Sequence, residues 1–194
     1  MIKSIDFYFD FISPYSFLAH KRIKKIENKE KIKFIYKPIL LGGLHNLAGI
    51  TAPAFVKSKK NFLVKDCEMV AKKFKIDFIF NSKFPINSLN LMRGLLIVDD
   101  EIKEKYIDIF FDAYWMSNTD LTFEKNVSDI LSKIKIDSNF FFENIKKQEI
   151  KDLLKNLTQK AFDKKIFGAP TFVINDKLFW GQDRLDYALD EFKN

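Results

Sequence analysis

The sequence predicts an α/β protein: one sheet assembled from the two ends of the chain, with a large all-helical insertion between them. Three observations carry this. The first 40 residues read strand, helix, strand. From residue 54 to about 165, apolar residues recur at helical spacing and no strand signal interrupts them. From Phe167 onward the character reverts to a strand hairpin followed by one helix. The length of 194 residues suits one domain with an insertion, and 47% hydrophobic residues are enough for a core.

Residues 2–11 form the first expected strand, a short aromatic run with Ile5, Phe7, Phe9 and Phe11. Ser13-Pro14 then opens a helix: serine is a favoured N-cap, and proline, lacking an amide hydrogen, suits the first helical position. Apolar positions at Phe17, Leu18, Ile23 and Ile26 carry it to about Glu27. Residues 32–37 are the second strand, which Pro38 ends. The crossover is long enough to set the two strands parallel. Leu40 to Pro53 is expected as a loop. Helices are expected over 54–74, around Leu89–Leu96, over 102–116, over 123–132 and over 139–165. Thr171–Ile174 and Lys177–Trp180 make a hairpin about an Asn175-Asp176 turn. Asp183 is expected to cap a last helix from Arg184 to about Phe192. The order βαβ, helical block, ββα is that of a thioredoxin-like fold, with residues 1–45 and 160–194 forming the discontinuous thioredoxin-like domain and 46–159 the helical insertion.

Composition narrows the chemistry. A single cysteine, Cys67, excludes an internal disulfide framework, a Cys-x-x-Cys redox centre and a zinc cluster. Two histidines, His20 and His45, leave few ligands for another metal site, so no metal is expected. No Gly-x-Ser-x-Gly elbow is present for a serine hydrolase. The net charge of +7 suits anionic small molecules without requiring them, and no aromatic-interleaved basic groove points to nucleic acid. The N-terminal run carries Asp6 and Asp10 where a signal peptide needs apolar residues, and no stretch suits a membrane span; a cytoplasmic, reducing setting is the expectation.

The candidate functional elements each have an ordinary alternative. Ser13 either caps its helix and nothing more, or presents its hydroxyl and the positive helix terminus to an anion or thiolate. Ala169-Pro170 is either an ordinary strand start or a cis bond that offers the Ala169 backbone to a peptide-like ligand. Gln182 and Asp183 either begin a surface helix or hold an amino-acid head group, amides toward its carboxylate and the Asp183 side chain toward its ammonium. Lys57, Lys59 and Lys60 are either a solvated face or a carboxylate site. Cys67 reads as a core or surface thiol rather than a nucleophile.

Three collinear stretches carry a resemblance: Asp6-Phe7-Tyr8-Phe9-Asp10-Phe11-Ile12-Ser13-Pro14-Tyr15-Ser16-Phe17-Leu18-Ala19, Phe84-Pro85-Ile86-Asn87-Ser88 through Arg93-Gly94, and Phe167-Gly168-Ala169-Pro170-Thr171 through Gly181-Gln182-Asp183-Arg184. Together they resemble the 2-hydroxychromene-2-carboxylate isomerases, relatives of kappa-class glutathione transferases in the DsbA-like thioredoxin superfamily. The resemblance implies a glutathione-dependent enzyme of aromatic compound breakdown, commonly a homodimer, with a small anionic aromatic substrate. It places Ser13 against the glutathione sulfur as the catalytic group. It places the Ala169 backbone, before a cis Pro170, against the cysteinyl unit, Gln182 and Asp183 at the γ-glutamyl end, and Lys59 near the glycyl carboxylate. Asn87 and Arg93 fall in a shared motif with no assigned contact. One departure stands out: Ile50 occupies a position that is often asparagine. The competing readings are a kappa-like transferase or peroxidase, which would consume glutathione, and a non-catalytic DsbA-like binding module.

Overall fold

A computed structural model describes residues 4–30 and 32–194. Four strands form one sheet: β1 (Ser4–Phe9), β2 (Lys33–Pro38), β3 (Thr171–Ile174) and β4 (Lys177–Trp180), in the order β2-β1-β3-β4. β1 and β2 are parallel, with Phe7 opposite Tyr36; β3 runs antiparallel to β1, with Phe172 opposite Phe7, and β4 antiparallel to β3. The helix α1 (Pro14–Glu27) makes the parallel crossover, as the Ser13-Pro14 signal predicts. This is the thioredoxin-like arrangement with a DsbA-type helical insertion.

The sheet closes through its aromatic residues. Phe7 stacks on Phe172 at 5.4 Å between ring centres, joining the two ends of the chain across the β1–β3 seam. Each such ring, fully buried, contributes on the order of 2–3 kcal/mol through area removed from water. The many phenylalanines, a compositional bias by sequence, therefore build much of the core.

Between β2 and β3 the chain is helical: α2 (Leu41–Ala48), α3 (Lys57–Phe74), α4 (Leu89–Ile97), α5 (Asp100–Trp115), α6 (Glu124–Lys133), α7 (Ser138–Asn144) and α8 (Gln148–Asp163); α9 (Leu185–Lys193) closes the chain. Helix α5 anchors this block to the sheet. Phe111 packs on Phe11 at 4.9 Å and on Phe9 at 5.8 Å, and the Trp115 indole N–H donates to the Phe11 carbonyl at 2.9 Å.

Four expectations need correction. The first strand ends at Phe9, because Phe11 turns out of the sheet toward Trp115; Ile2 lies outside the described residues. The expected 40–53 loop contains α2. Its Gly42-Gly43 pair argues against a helix, but distant side chains satisfy its first amides: Thr158 Oγ1 accepts from Leu40 at 3.0 Å and Asp10 Oδ2 from Leu41 at 2.8 Å. Gly49, at φ 65°, ends α2 in the left-handed conformation that glycine tolerates. The 139–165 stretch is two helices, the first capped by Asp137, whose carboxylate accepts the Phe140 amide at 2.7 Å. Finally, α9 starts at Leu185 after a short 3-10 turn over Gln182–Arg184, and Asp183 caps nothing. Gly181 sits at φ 104°, and a Cβ there would lie 2.5 Å from Asp183 Oδ1, so the carboxylate folds back over the glycine.

Candidate active site

A cleft of about 1270 Å³ opens between the α1 end of the sheet and the helical block. Its floor is Ser13. The residue is extended, caps α1 through an Oγ that accepts the Ser16 amide at 3.1 Å, and donates its hydroxyl to the Ala169 carbonyl at 2.9 Å. Pro14 has no amide hydrogen and Ser16's is taken, so the Tyr15 amide is left at the positive mouth of the helix. The Ala169-Pro170 bond is cis, and so is Phe84-Pro85, for which no local signal predicts that geometry. The Pro170 carbonyl accepts the Gly181 amide at 2.9 Å, which brings the Gln182–Arg184 turn beside the same floor.

That turn is held from below by Arg22. Its guanidinium donates to the Gln182 carbonyl at 2.8 Å and to Asp186 at 2.6 Å, and lies over the Phe74 ring at 4.0 Å. Gln182 is buried, yet its Oε1 has no hydrogen-bond partner although the residue lines the cleft. Such an orphaned acceptor costs about 1–3 kcal/mol unless something donates to it. The Asp183 side chain is largely solvent-facing, with Arg184 3.5 Å away. Opposite, Tyr15 donates its hydroxyl to Asp66 of α3 at 2.6 Å; burial and that carboxylate push the phenol well above its ordinary range, so it stays a donor.

The structure brings Ser13, Ala169, Pro170, Gln182, Asp183 and Lys59 to one cleft. Lys59 stands apart on the first turn of α3, exposed, with no ion pair or hydrogen bond among the described residues. Ile50 lines the cleft, as does Asn87, whose side chain accepts the Leu89 amide at 3.0 Å. Lys60 donates to the Phe84 carbonyl at 3.5 Å. His20 is elsewhere, buried between the Tyr36 hydroxyl at 2.7 Å and Asp108 at 2.8 Å. Cys67 is fully buried on α3, and its thiol is pushed far up by burial and by Asp66 and Glu68. It is a core residue and no nucleophile. Among the described residues no cluster of histidine, cysteine and carboxylate side chains has a metal-binding arrangement, and no helix is long and apolar enough to cross a membrane.

Sequence reasoning missed Arg22, the Tyr15–Asp66 pair and Asp10 as site-building residues. Arg22 and Asp66 contact segments far along the chain and carry no local signature. Asp10 has one signal, a charge next to the aromatic run Phe7-Tyr8-Phe9 and just before the Ser13-Pro14 helix start.

Comparison with known proteins agrees with this architecture. The profile of the DsbA-like thioredoxin domain matches residues 4–193. A protein of Sphingobium xenophagum named 2-hydroxychromene-2-carboxylate isomerase is 26% identical over 189 residues, covering 96% of each chain. Glutathione S-transferase kappa 1 of Rattus norvegicus is 23% identical, covering 97% of this chain and 92% of its own. A solved structure of a 2-hydroxychromene-2-carboxylate isomerase superposes with a TM-score of 0.89 at 26% identity, covering 97% of this chain and 94% of that one.

Proposed function

The chain belongs to the DsbA-like thioredoxin domain family, and on that premise we propose that it is a glutathione-dependent cis-trans isomerase acting on 2-hydroxychromene-2-carboxylate or a similar anionic aromatic compound. The observation that carries this reading is the setting of Ser13. A hydroxyl and a helix N-terminus stand at the floor of a large cleft, beside Ala169-Pro170, in a chain whose one cysteine is buried elsewhere. The isomerase relatives supply the reaction class, and the kappa-class relative supports glutathione.

The residues fit that tripeptide. The orphaned Gln182 Oε1 and the Asp183 carboxylate are acceptors suited to an ammonium at one end of the cleft. Lys59 is a free cation suited to a carboxylate. When bound, glutathione supplies a sulfur nucleophile that adds reversibly to a conjugated carbon, so that a double bond turns single, rotates and re-forms. Ser13 Oγ–H, turned from the Ala169 carbonyl, donates to negative charge at the mouth of α1, and the Tyr15 amide and the helix dipole add to it. Tyr15 spends its one O–H on Asp66 and so ties α3 to the same mouth. Arg22 keeps Gln182 and Asp183 in place. The apolar side chains of Ile50 and Phe84 limit water beside the reacting carbon.

The same proposal takes the cytoplasm as its setting and a homodimer as its assembly. Phe55, Phe62 and Met69 are exposed along one face of α3 and of the turn before it, an apolar stripe suited to a second copy. It also keeps the division into a thioredoxin-like part (1–45 and 160–194) and a helical part (46–159), whose junctions fall inside α2 and α8.

Calorimetric titration of reduced glutathione into the wild type and Asp183→Ala is the first test, followed by an assay with 2-hydroxychromene-2-carboxylate. Binding that weakens in the variant, with product formed and glutathione recovered, supports the isomerase. Glutathione consumed in proportion to product favours the kappa-like transferase. Absence of binding at millimolar glutathione leaves a DsbA-like binding module.

A further inference from the structure

Asp10 is the one buried carboxylate among the described residues, fully shielded at the junction of β1 and α1. Its Oδ1 accepts the Ile12 amide at 3.1 Å, and its carbonyl accepts the Ser13 amide at 3.1 Å, so it shapes the turn that carries Ser13. Its Oδ2 accepts the Leu41 amide, at the start of α2, at 2.8 Å. The buried Ser88 hydroxyl, just before α4, faces it and favours its ionised form. All three segments wall the cleft, through Ile12 and Ser13, Leu40 and Leu41, and Asn87 and Ser88.

We propose that the ionised Asp10 carboxylate is a positioning group: it holds these three wall segments in register around Ser13, and protonation releases them. A carboxylate is acceptor-only, which matches two amides and a hydroxyl converging on it. A neutral carboxyl turns one oxygen into a donor, and an amide facing that oxygen loses its partner. Burial raises the group to about 6, within the range of ordinary buffers.

Among the described residues no cation compensates the charge. On β1, Asp6 pairs with Lys37 of β2 at 3.7 Å; Tyr8 makes no bond to Asp10. On α1, Tyr15 is engaged with Asp66, and His20 with Tyr36 and Asp108. His45 is the titratable residue of α2 and Arg93 that of α4, and neither pairs with Asp10 among the described residues. The inward face of α8 is uncharged, with Leu154, Thr158 and Ala161. The charge is therefore held by hydrogen bonds alone, and each of those bonds fixes a piece of the cleft.

The test follows the Ile12 and Leu41 amide resonances of the nitrogen-15-labelled full chain from pH 4.5 to 8. Both are expected to shift together with a midpoint near 6, and in Asp10→Asn neither titrates there. Affinity for S-methylglutathione, which has no thiol to ionise, is a second readout that rests on the glutathione reading. It is expected to fall about tenfold from pH 7.5 to pH 5 in the wild type, the loss of one charged hydrogen bond, and to stay flat in Asp10→Asn. His45→Gln is expected to keep the midpoint. Amides that stay still through pH 6, or a titration that persists in Asp10→Asn, overturn the proposal. If the variant does not fold, the joint titration of the two amides in the wild type decides. Titrating amides without ligand binding at any pH support the positioning role and sink the glutathione reading instead.

Discussion

Ser13 is 4% exposed and hydrogen-bonds to Ala169, 156 positions away; Lys59, across the same cleft, is exposed and bonds to nothing among the described residues. The floor of the cleft is assembled from the sheet and from buried polar groups that are hydrogen-bonded into it, with Gln182 Oε1 the exception. The outer wall is assembled from α3 and the turn before it, with free side chains and exposed apolar residues such as Phe55. A group that must meet a reacting atom needs the first kind of support, because small displacements are costly. A group that only attracts or selects a ligand works from the second kind. Floor residues should therefore govern rate and stability, and wall residues affinity and substrate choice.

The largest expected effect lies beneath the floor. Because the folded state holds the Asp10 proton more tightly than the unfolded chain does, stability should fall as pH rises from about 4 to about 6 and level off above. The loss is roughly 3 kcal/mol, from a shift of about two pH units in a fully buried group. Urea unfolding of the wild type and Asp10→Asn across that window should show the slope in the first and lose it in the second. Equal slopes would mean that another group carries it.

Next, Ser13→Ala should reduce isomerase turnover about 100-fold, the effect of losing one donor to developing charge. The cost in melting temperature should be only a few degrees, because the lost cap is worth about 1 kcal/mol. Unchanged turnover would move the chemistry away from the floor. Asp183→Ala should weaken glutathione about tenfold with little change in turnover at saturation, the signature of a binding contact. Lys59→Ala, at an exposed site, should weaken it only about threefold, and less at high salt. A Lys59 effect as large as that of Ser13 would erase the distinction between floor and wall.

The same divide explains what could be read from the sequence. Ser13-Pro14 is legible as a helix start because capping is local, whereas local proline geometry leaves Ala169-Pro170 open and only the family resemblance points to its cis bond; both lie on the floor. The hairpin and the closing helix were legible for the same reason. What was not legible depends on distance along the chain. Helix α2 forms around two glycines because Asp10 and Thr158 reach its first amides from elsewhere. Asp183 does not cap α9, because Arg22 and Gly181 turn the chain before the helix begins. Arg22 and Asp66 build the site without any pattern that periodicity or spacing records.

Gly168 owes its identity to a neighbour: a Cβ there would meet the Trp180 indole nitrogen at 2.5 Å. Trp180 thus lies against the backbone just before Ala169, with Phe167 4.8 Å away, at the lip of the cleft and 54% exposed. The other tryptophan, Trp115, is wholly buried beneath Phe11. The two indoles therefore emit in separable spectral ranges, the buried one to the blue and open to no aqueous quencher, the other red-shifted and within reach of acrylamide. A ligand settling in the cleft would dim or shield one emitter and leave the other as an internal standard, so the unlabelled protein can report its own occupancy by light.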